Sequence, residues 1–494
     1  MSTGREQVGV LPKDSTRNLP SGGRRLPAGV PLLGVTLSLL AFTGPNWPLA
    51  LLATSVVMLG IWLLWRPGEA PILVFVFLFA WLQAGIHLYV ANIKGVGVEE
   101  LNQFSGDTNL AIFLSLLACL VLALGLHMGA GSWRSDGGAL ARLVAQTVPL
   151  HRWFMLYLVA LGISSVLTGM AWSFGGLAQI ILALANLKWA FYLMLAYASF
   201  VSQRSEWKYL LVAFGIELTL GFGGYFSGFK TVFFLTFLAL AGSGFRVTPK
   251  QSMVLALVAG LLLTIGAVWS EVKMDYRQFV SGYSGHQVVV ASSSERYKKL
   301  IDLVSKVDGK GLSDGFEKLF SRMAYTDFFS VVLNTVPNNY PYANGALWWN
   351  AVRRPFMPRL FFPNKKAIND SELVNQYTGL GVAGAAQGTS ISLGYVAESY
   401  IDFGPWLMFV PLFLLGWAAG RAYRWYLSNP DCAGLLGMAL ATVVLFPLAG
   451  LETSIIKLVG ATLLPFLASF IVIYYLAPRF FPWVLPKMQQ IEKG

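Results

Sequence analysis

Charge is scarce in this sequence. Asp, Glu, Lys and Arg make up 12% of the 494 residues, about half the share found in soluble domains. With 55% hydrophobic residues and a mean hydropathy of +0.60, that scarcity excludes a soluble globular protein. Cysteine is nearly missing too. Cys119, in an apolar run, and Cys432, in a short connection, give neither a disulfide framework nor metal-ligand spacing. His87, His127, His151 and His286 are scattered without metal or triad spacing. The chain lacks Asp-x-Asp, a Gly-rich phosphate loop ending in Lys-Ser/Thr, Gly-x-Ser-x-Gly and His-Glu-x-x-His. A metal-held sugar-nucleotide mechanism therefore has no visible ligands, and no metal or cofactor is expected. The net charge of +12 is read as topology and lipid contact, with no nucleic-acid partner.

Long apolar runs are what the chain does have, many near the roughly 20 residues that cross a bilayer. They predict an all-α polytopic membrane protein of about 12 spans: 29–44, 47–65, 71–93, 109–130, 152–173, 180–202, 207–223, 228–244, 252–271, 404–422, 433–451 and 456–477. The run at 175–202 also reads as a re-entrant piece plus a span. Residues 1–28 and 479–494 are basic tails. Lys and Arg in the short connections, among them Arg66, Arg142, Arg152, Lys208, Arg421 and Arg424, fall on one side with both tails. Both termini are then cytoplasmic. The chain divides into a 29–271 bundle of about nine spans, a long outer loop at 272–403 and three C-terminal spans at 404–478. Residues 292–335 read as amphipathic helix, with Leu300, Leu303, Val304, Phe316 and Leu319 on its apolar side.

The long loop contains a stretch with no acid, from Phe328 to Asn369. It carries Arg353, Arg354, Arg359, Lys365 and Lys366 among Trp348, Trp349, Phe356, Phe361 and Phe362, stiffened by prolines 355, 358 and 363. Three lysines, Lys188, Lys230 and Lys457, sit at outer-leaflet depth, where a charge costs about 2.5–3.5 kcal/mol on insertion scales. Each is read either as snorkelling or pairing, for example Lys457 with Glu452, or as meeting a ligand. Glu217, in mid-span, reads as a packing residue ahead of a proton carrier. Basic cluster and isolated carboxylates together suit displacement of a pyrophosphate: Arg and Lys neutralise the leaving group and a carboxylate accepts a proton. The competing readings are phospholipid head-group binding by Arg353, Arg354 and Arg359, and a helix cap near Gly404 formed by Glu398, Tyr400 and Asp402.

Gly228-Phe229-Lys230, then Pro358-Arg359-Leu360-Phe361-Phe362-Pro363-Asn364-Lys365 before Asn369-Asp370-Ser371, and then Glu398-Ser399-Tyr400-Ile401-Asp402-Phe403-Gly404 resemble the Wzy-type polymerases of O-antigen and exopolysaccharide repeat units. The resemblance spans residues 228–404. It implies a GT-C-like, metal-independent glycosyltransferase of the bacterial inner membrane whose large loop is periplasmic. Its substrates would be undecaprenyl-pyrophosphate-linked oligosaccharides, and a chain-length regulator and a flippase are the implied partners. Lys230, Arg353, Arg354, Arg359 and Lys365 would then hold pyrophosphate, with Glu398 or Asp370 as base. Lys188, Lys457, Tyr400, Trp348 and Trp349 would contact glycan or lipid. A ligase of the same superfamily and a lipid-linked sugar transporter or flippase are the alternatives. Against a transporter stand the lack of a repeat between the halves and the long outer loop.

Overall fold

The computed structural model describes residues 26–479 apart from 28, 133–135, 175, 203–206, 223–229, 245–248, 285–289, 324, 385–389 and 433. Most of both expected tails, His286 and the Gly228-Phe229 pair lie outside the described residues. Among those described, every regular element is helical. In chain order the α-helices are α1 (Gly29–Ala41), α2 (Trp47–Leu64), α3 (Ile72–Lys94), α4 (Thr108–Ala130), α5 (Asp136–Thr147), α6 (Leu150–Ser173) and α7 (Ala178–Asn186). There follow α8 (Lys188–Ser202), α9 (Lys208–Phe222), α10 (Lys230–Gly242), α11 (Pro249–Val280), α12 (Ser293–Ser305), α13 (Gly309–Met323) and α14 (Thr326–Thr335). The last are α15 (Ala346–Arg353), α16 (Asp370–Thr378), α17 (Tyr395–Leu407), α18 (Phe409–Ser428), α19 (Leu435–Leu445) and α20 (Ile455–Ile471).

The protein is an all-α membrane protein, but the expectation of about 12 spans is corrected. Six stretches are helical, long and apolar enough to cross a membrane: α2, α3, α4, Leu150–Ala171, Ala178–Ser202 and Ile455–Arg479. A seventh is counted if α17 and α18, bent by 115°, form one span. Hydropathy counts apolar residues but does not see where the backbone turns. The runs expected at 29–44 and 228–244 form helices of 13 residues each, about 20 Å long against a hydrocarbon core of about 30 Å. The run at 433–451 is likewise a shorter apolar helix. That at 404–422 meets the bend, where Gly404 has φ 73° and Pro405 follows. The run at 252–271 is part of α11, which continues without a break to Val280.

The tightest helix pair is α4 with α18. Gly125 and Gly129 face Gly416 and Gly420, two small-xxx-small patterns that let backbones approach closely. A Cβ at Gly129 would lie 2.1 Å from the Trp417 carbonyl oxygen, and one at Gly420 2.4 Å from that of Leu126. The two helices run parallel, since Gly416 meets Leu122 while Gly420 meets Leu126. The expected amphipathic stretch forms α12, α13 and α14. Leu300 and Leu303 of α12 pack on Trp269, Val272 and Tyr276 of α11, and Gly315 of α13 abuts Ala267. α14 instead joins the main core through Phe329 and Val332.

Local signals set the end of the bundle where the site lies. Gly95, left-handed at φ 71°, stops α3. Asp107 starts α4 by accepting the Leu110 amide at 2.9 Å. Asn46 and Asn92 tie the start of α2 to the end of α3, with the Asn92 Oδ1 accepting both the amide and the side chain of Asn46.

Candidate functional site

Where α3 ends and α4, α16 and α20 begin, an open cavity of about 500 Å³ forms. Asp327, Asp370, Glu452, Lys457, Tyr325 and Gln103 supply its chemistry, and Phe104 and Phe328 its apolar wall. These two rings pack with centroids 5.1 Å apart.

Asp370 opens α16 and is buried, with its carboxylate fully engaged. Its Oδ2 lies 2.6 Å from the Lys457 Nζ, and its Oδ1 accepts the Ser454 hydroxyl at 3.0 Å. Lys457 also donates to the Ser390 Oγ at 2.9 Å. The Ser371 hydroxyl accepts the Ile391 amide, so the start of α16 is stitched both to α20 and to the segment before α17. Lys457 thus pairs with Asp370, whereas Glu452 accepts a hydrogen bond from the Gln83 side-chain amide. The Gln83 Oε1 in turn accepts the Leu451 amide at 2.6 Å.

Glu398 is buried, and its Oε2 accepts the Ile455 amide at 2.9 Å, which satisfies an orphan donor at the N-terminus of α20. Asp402 does the same for α15, accepting the amides of Leu347 at 3.1 Å and Trp348 at 2.9 Å. Both carboxylates cap helices, but neither caps one beginning near Gly404. Tyr400 is buried and donates to the Val336 carbonyl at 3.0 Å; Trp348 donates to the Ser399 Oγ at 3.0 Å.

Asp327, which sequence reasoning passed over, is 4% exposed and lines the cavity. Its Oδ1 makes no hydrogen bond and stands 3.7 Å from the Nδ1 of His87 on α3. Burial raises its pKa to about 6, opposed by the Gln103 backbone amide. The signal in the sequence was an acid embedded in Thr326-Asp327-Phe328-Phe329, at the very edge of the acid-free stretch.

A second hollow, an apolar groove of about 320 Å³, runs between α7 and α20 past Leu182, Gly460 and Leu464. Arg354 and Lys457 line it, so Lys457 belongs to both hollows. Burial and the nearby Arg359 charge lower the pKa of Arg354. Burial, Arg354 and Arg359 lower that of Lys365. Lys365 donates to the carbonyls of Arg354 and Met357, both at 2.8 Å, and Arg354 donates to that of Lys366. These cations are held close without a carboxylate between them, an arrangement that favours an anionic ligand.

The remaining expected residues lie apart. Lys188 bonds both Glu217 oxygens at 2.9 and 2.7 Å, and the Tyr157 hydroxyl donates to the same carboxylate. This buried network agrees with a packing role for Glu217. Lys230 opens α10, is exposed and lines neither hollow. Arg353, Arg359 and Trp349 are exposed and line neither hollow. No group of three or more metal-ligating side chains occurs among the described residues.

Residues 143–424, more than half of the chain, match a family described as a domain of unknown function, DUF8712. The chain belongs to that family. No curated protein and no solved structure matches it. The family match covers Asp327, Asp370, Glu398 and the basic segment, and stops short of Glu452 and Lys457.

Proposed function

We propose that this DUF8712 protein is a membrane glycosyltransferase that polymerises polyprenyl-pyrophosphate-linked oligosaccharides at the outer face of the bacterial inner membrane. The observation that carries the reading is the shared lysine: Lys457 joins a carboxylate-lined cavity to an apolar groove that also holds Arg354. A lipid-linked sugar has the same order of parts. Its polyprenyl tail suits the groove, its pyrophosphate suits Lys457 and Arg354, and its sugar suits a pocket of carboxylates and aromatic faces. Carboxylates repel phosphate but stabilise the positive charge that develops at an anomeric carbon as the leaving group departs. The resemblance of the basic segment and of the Asn-Asp-Ser cluster to Wzy-type polymerases supports the same reading. The positive-inside bias supports a cytoplasmic reading of the end of α4 where Arg66, Arg421 and Arg424 lie near Gly129 and Gly131.

The test uses the purified protein in liposomes, with lipid-linked oligosaccharide extracted from cells that lack it. Longer glycan and released polyprenyl pyrophosphate are expected. Gly460→Phe should stop both, because a side chain at Gly460 enters open space inside the groove. Movement of the substrate across the bilayer without any release of polyprenyl pyrophosphate would make the protein a transporter and end this assignment.

A further inference from the structure

We infer that Asp327 is the proton acceptor of this site, a role that rests on the glycosyltransfer reading above. Four carboxylates lie in or behind the cavity, and three already have other tasks. Asp370 is neutralised by Lys457 at 2.6 Å and bonded to Ser454. Glu398 caps α20 and does not line the cavity. Glu452 is exposed to solvent and accepts from the Gln83 amide. Asp327 alone of the four lines the cavity without a lysine or a side-chain amide bound to its carboxylate. Its Oδ1 lies buried beside His87 while the residue lines the cavity, and burial of a carboxylate favours its taking a proton.

The groups facing it are His87 from α3, the Gln103 backbone from the α3–α4 connection, Asp370 from α16, and Glu452 and Lys457 from the approach to α20 and its first turn. Tyr325 precedes it by two residues. The Phe104–Phe328 pair beside it offers an apolar wall for the C–H face of a sugar ring. In the step, the acceptor hydroxyl oxygen forms a bond to the donor's anomeric carbon and its proton passes to the Asp327 carboxylate. The anomeric C–O bond breaks, and its electron pair leaves with the polyprenyl pyrophosphate, whose charge Lys457 and Arg354 meet.

The experiment compares Asp327→Asn, Asp327→Ala with and without added formate, and Lys457→Ala, all as full-length protein in liposomes. Polymerisation is measured on the extracted lipid-linked substrate, and binding on undecaprenyl pyrophosphate. Asp327→Asn should polymerise at least about 100-fold more slowly, the usual size of a lost general base, with binding within threefold of the parent protein. Formate should restore Asp327→Ala at least tenfold by occupying the vacated carboxylate position. Polymerisation by Asp327→Asn within threefold of the parent overturns the assignment, as does failure of formate to restore Asp327→Ala. If Lys457→Ala is then inactive, the base assignment falls alone; if it is fully active, the glycosyltransfer reading falls as well. Should the Asp327 variants not fold, the parent protein decides: its rate should fall with decreasing pH through about 6, and a rate flat from pH 5 to 7 overturns the assignment.

Discussion

Where α2 and α18 stop, Arg66, Glu69 and Tyr423 face one another; where α4 and α20 begin, Asp327, Asp370 and Lys457 face a cavity. All but Lys457 are buried side chains. In the first cluster Arg66 reaches the Gly131 carbonyl at 2.5 Å and stacks its guanidinium 5.6 Å over the Tyr423 ring, while the Tyr423 hydroxyl donates to Glu69. Its polar groups bond to one another and to the backbone beside them. In the second, Lys457 pairs with Asp370 at 2.6 Å, yet both of them and Asp327 line a cavity of about 500 Å³. Polar groups at one end are closed in between helices, and at the other they border an open cavity. The difference lies in what closes over them, since the residue types are alike.

Changes at the two ends should therefore separate function from stability. Lys457→Ala should give the largest effect, a loss of polymer of at least 100-fold, whereas Arg66→Ala should leave turnover per folded molecule within twofold. Glycan length on gels, normalised to monodisperse protein, decides it. Equal loss from both would erase the distinction between the ends.

The next effect lies in the Lys188–Glu217 pair. Lys188→Met leaves Glu217, 2% exposed, without its cation, which typically costs about 3–5 kcal/mol. Adding Glu217→Gln should recover most of that loss. Thermal unfolding in detergent would show it, and a double variant no better than the single would refute a closed pair. Smaller is Tyr423→Phe, which strips Glu69 of its donor at a cost of about 1–3 kcal/mol. Turnover per folded molecule should not change.

The smallest effect is a slope with pH. Glu69, in the α2–α3 connection, has its pKa raised by burial to about 6 from 4.5, despite Tyr423 and Arg66. The native state therefore keeps a proton that the unfolded chain releases above about 4.5. Stability should decline as pH rises from about 4.5 to 6 and level off beyond, by about 2 kcal/mol in all. Glu69→Gln should abolish that slope, and Tyr423→Phe should extend it to higher pH because a bond favouring the charged form is gone. Unfolding midpoints measured across this range would test both.

Some of the site was legible in the chain. Asp370 and Lys457 stood out because a polar cluster and a lysine interrupt apolar sequence, and both line the cavity. Their pairing was not legible, because 87 residues separate them and Glu452 stood nearer to Lys457 in sequence. Glu398 looked like a base and caps α20 from across the fold, since capping at a distance leaves no local spacing. Asp327 and His87 looked unrelated because they lie on different helices. The facing Gly-x-x-x-Gly patterns of α4 and α18 were written in the sequence, but each is one of many glycine pairs until a partner is known.

By itself the sequence determined the class of this protein: an apolar, charge-poor chain must satisfy its backbone within helices in a membrane, and six long runs did so. Only the tertiary structure decided which apolar runs were too short or too bent to count as spans. It alone decided which carboxylates cap helices and which line the cavity, because burial and hydrogen-bond partners are set by what packs alongside. Composition records how many polar groups are present, whereas the fold determines which of them remain unsatisfied.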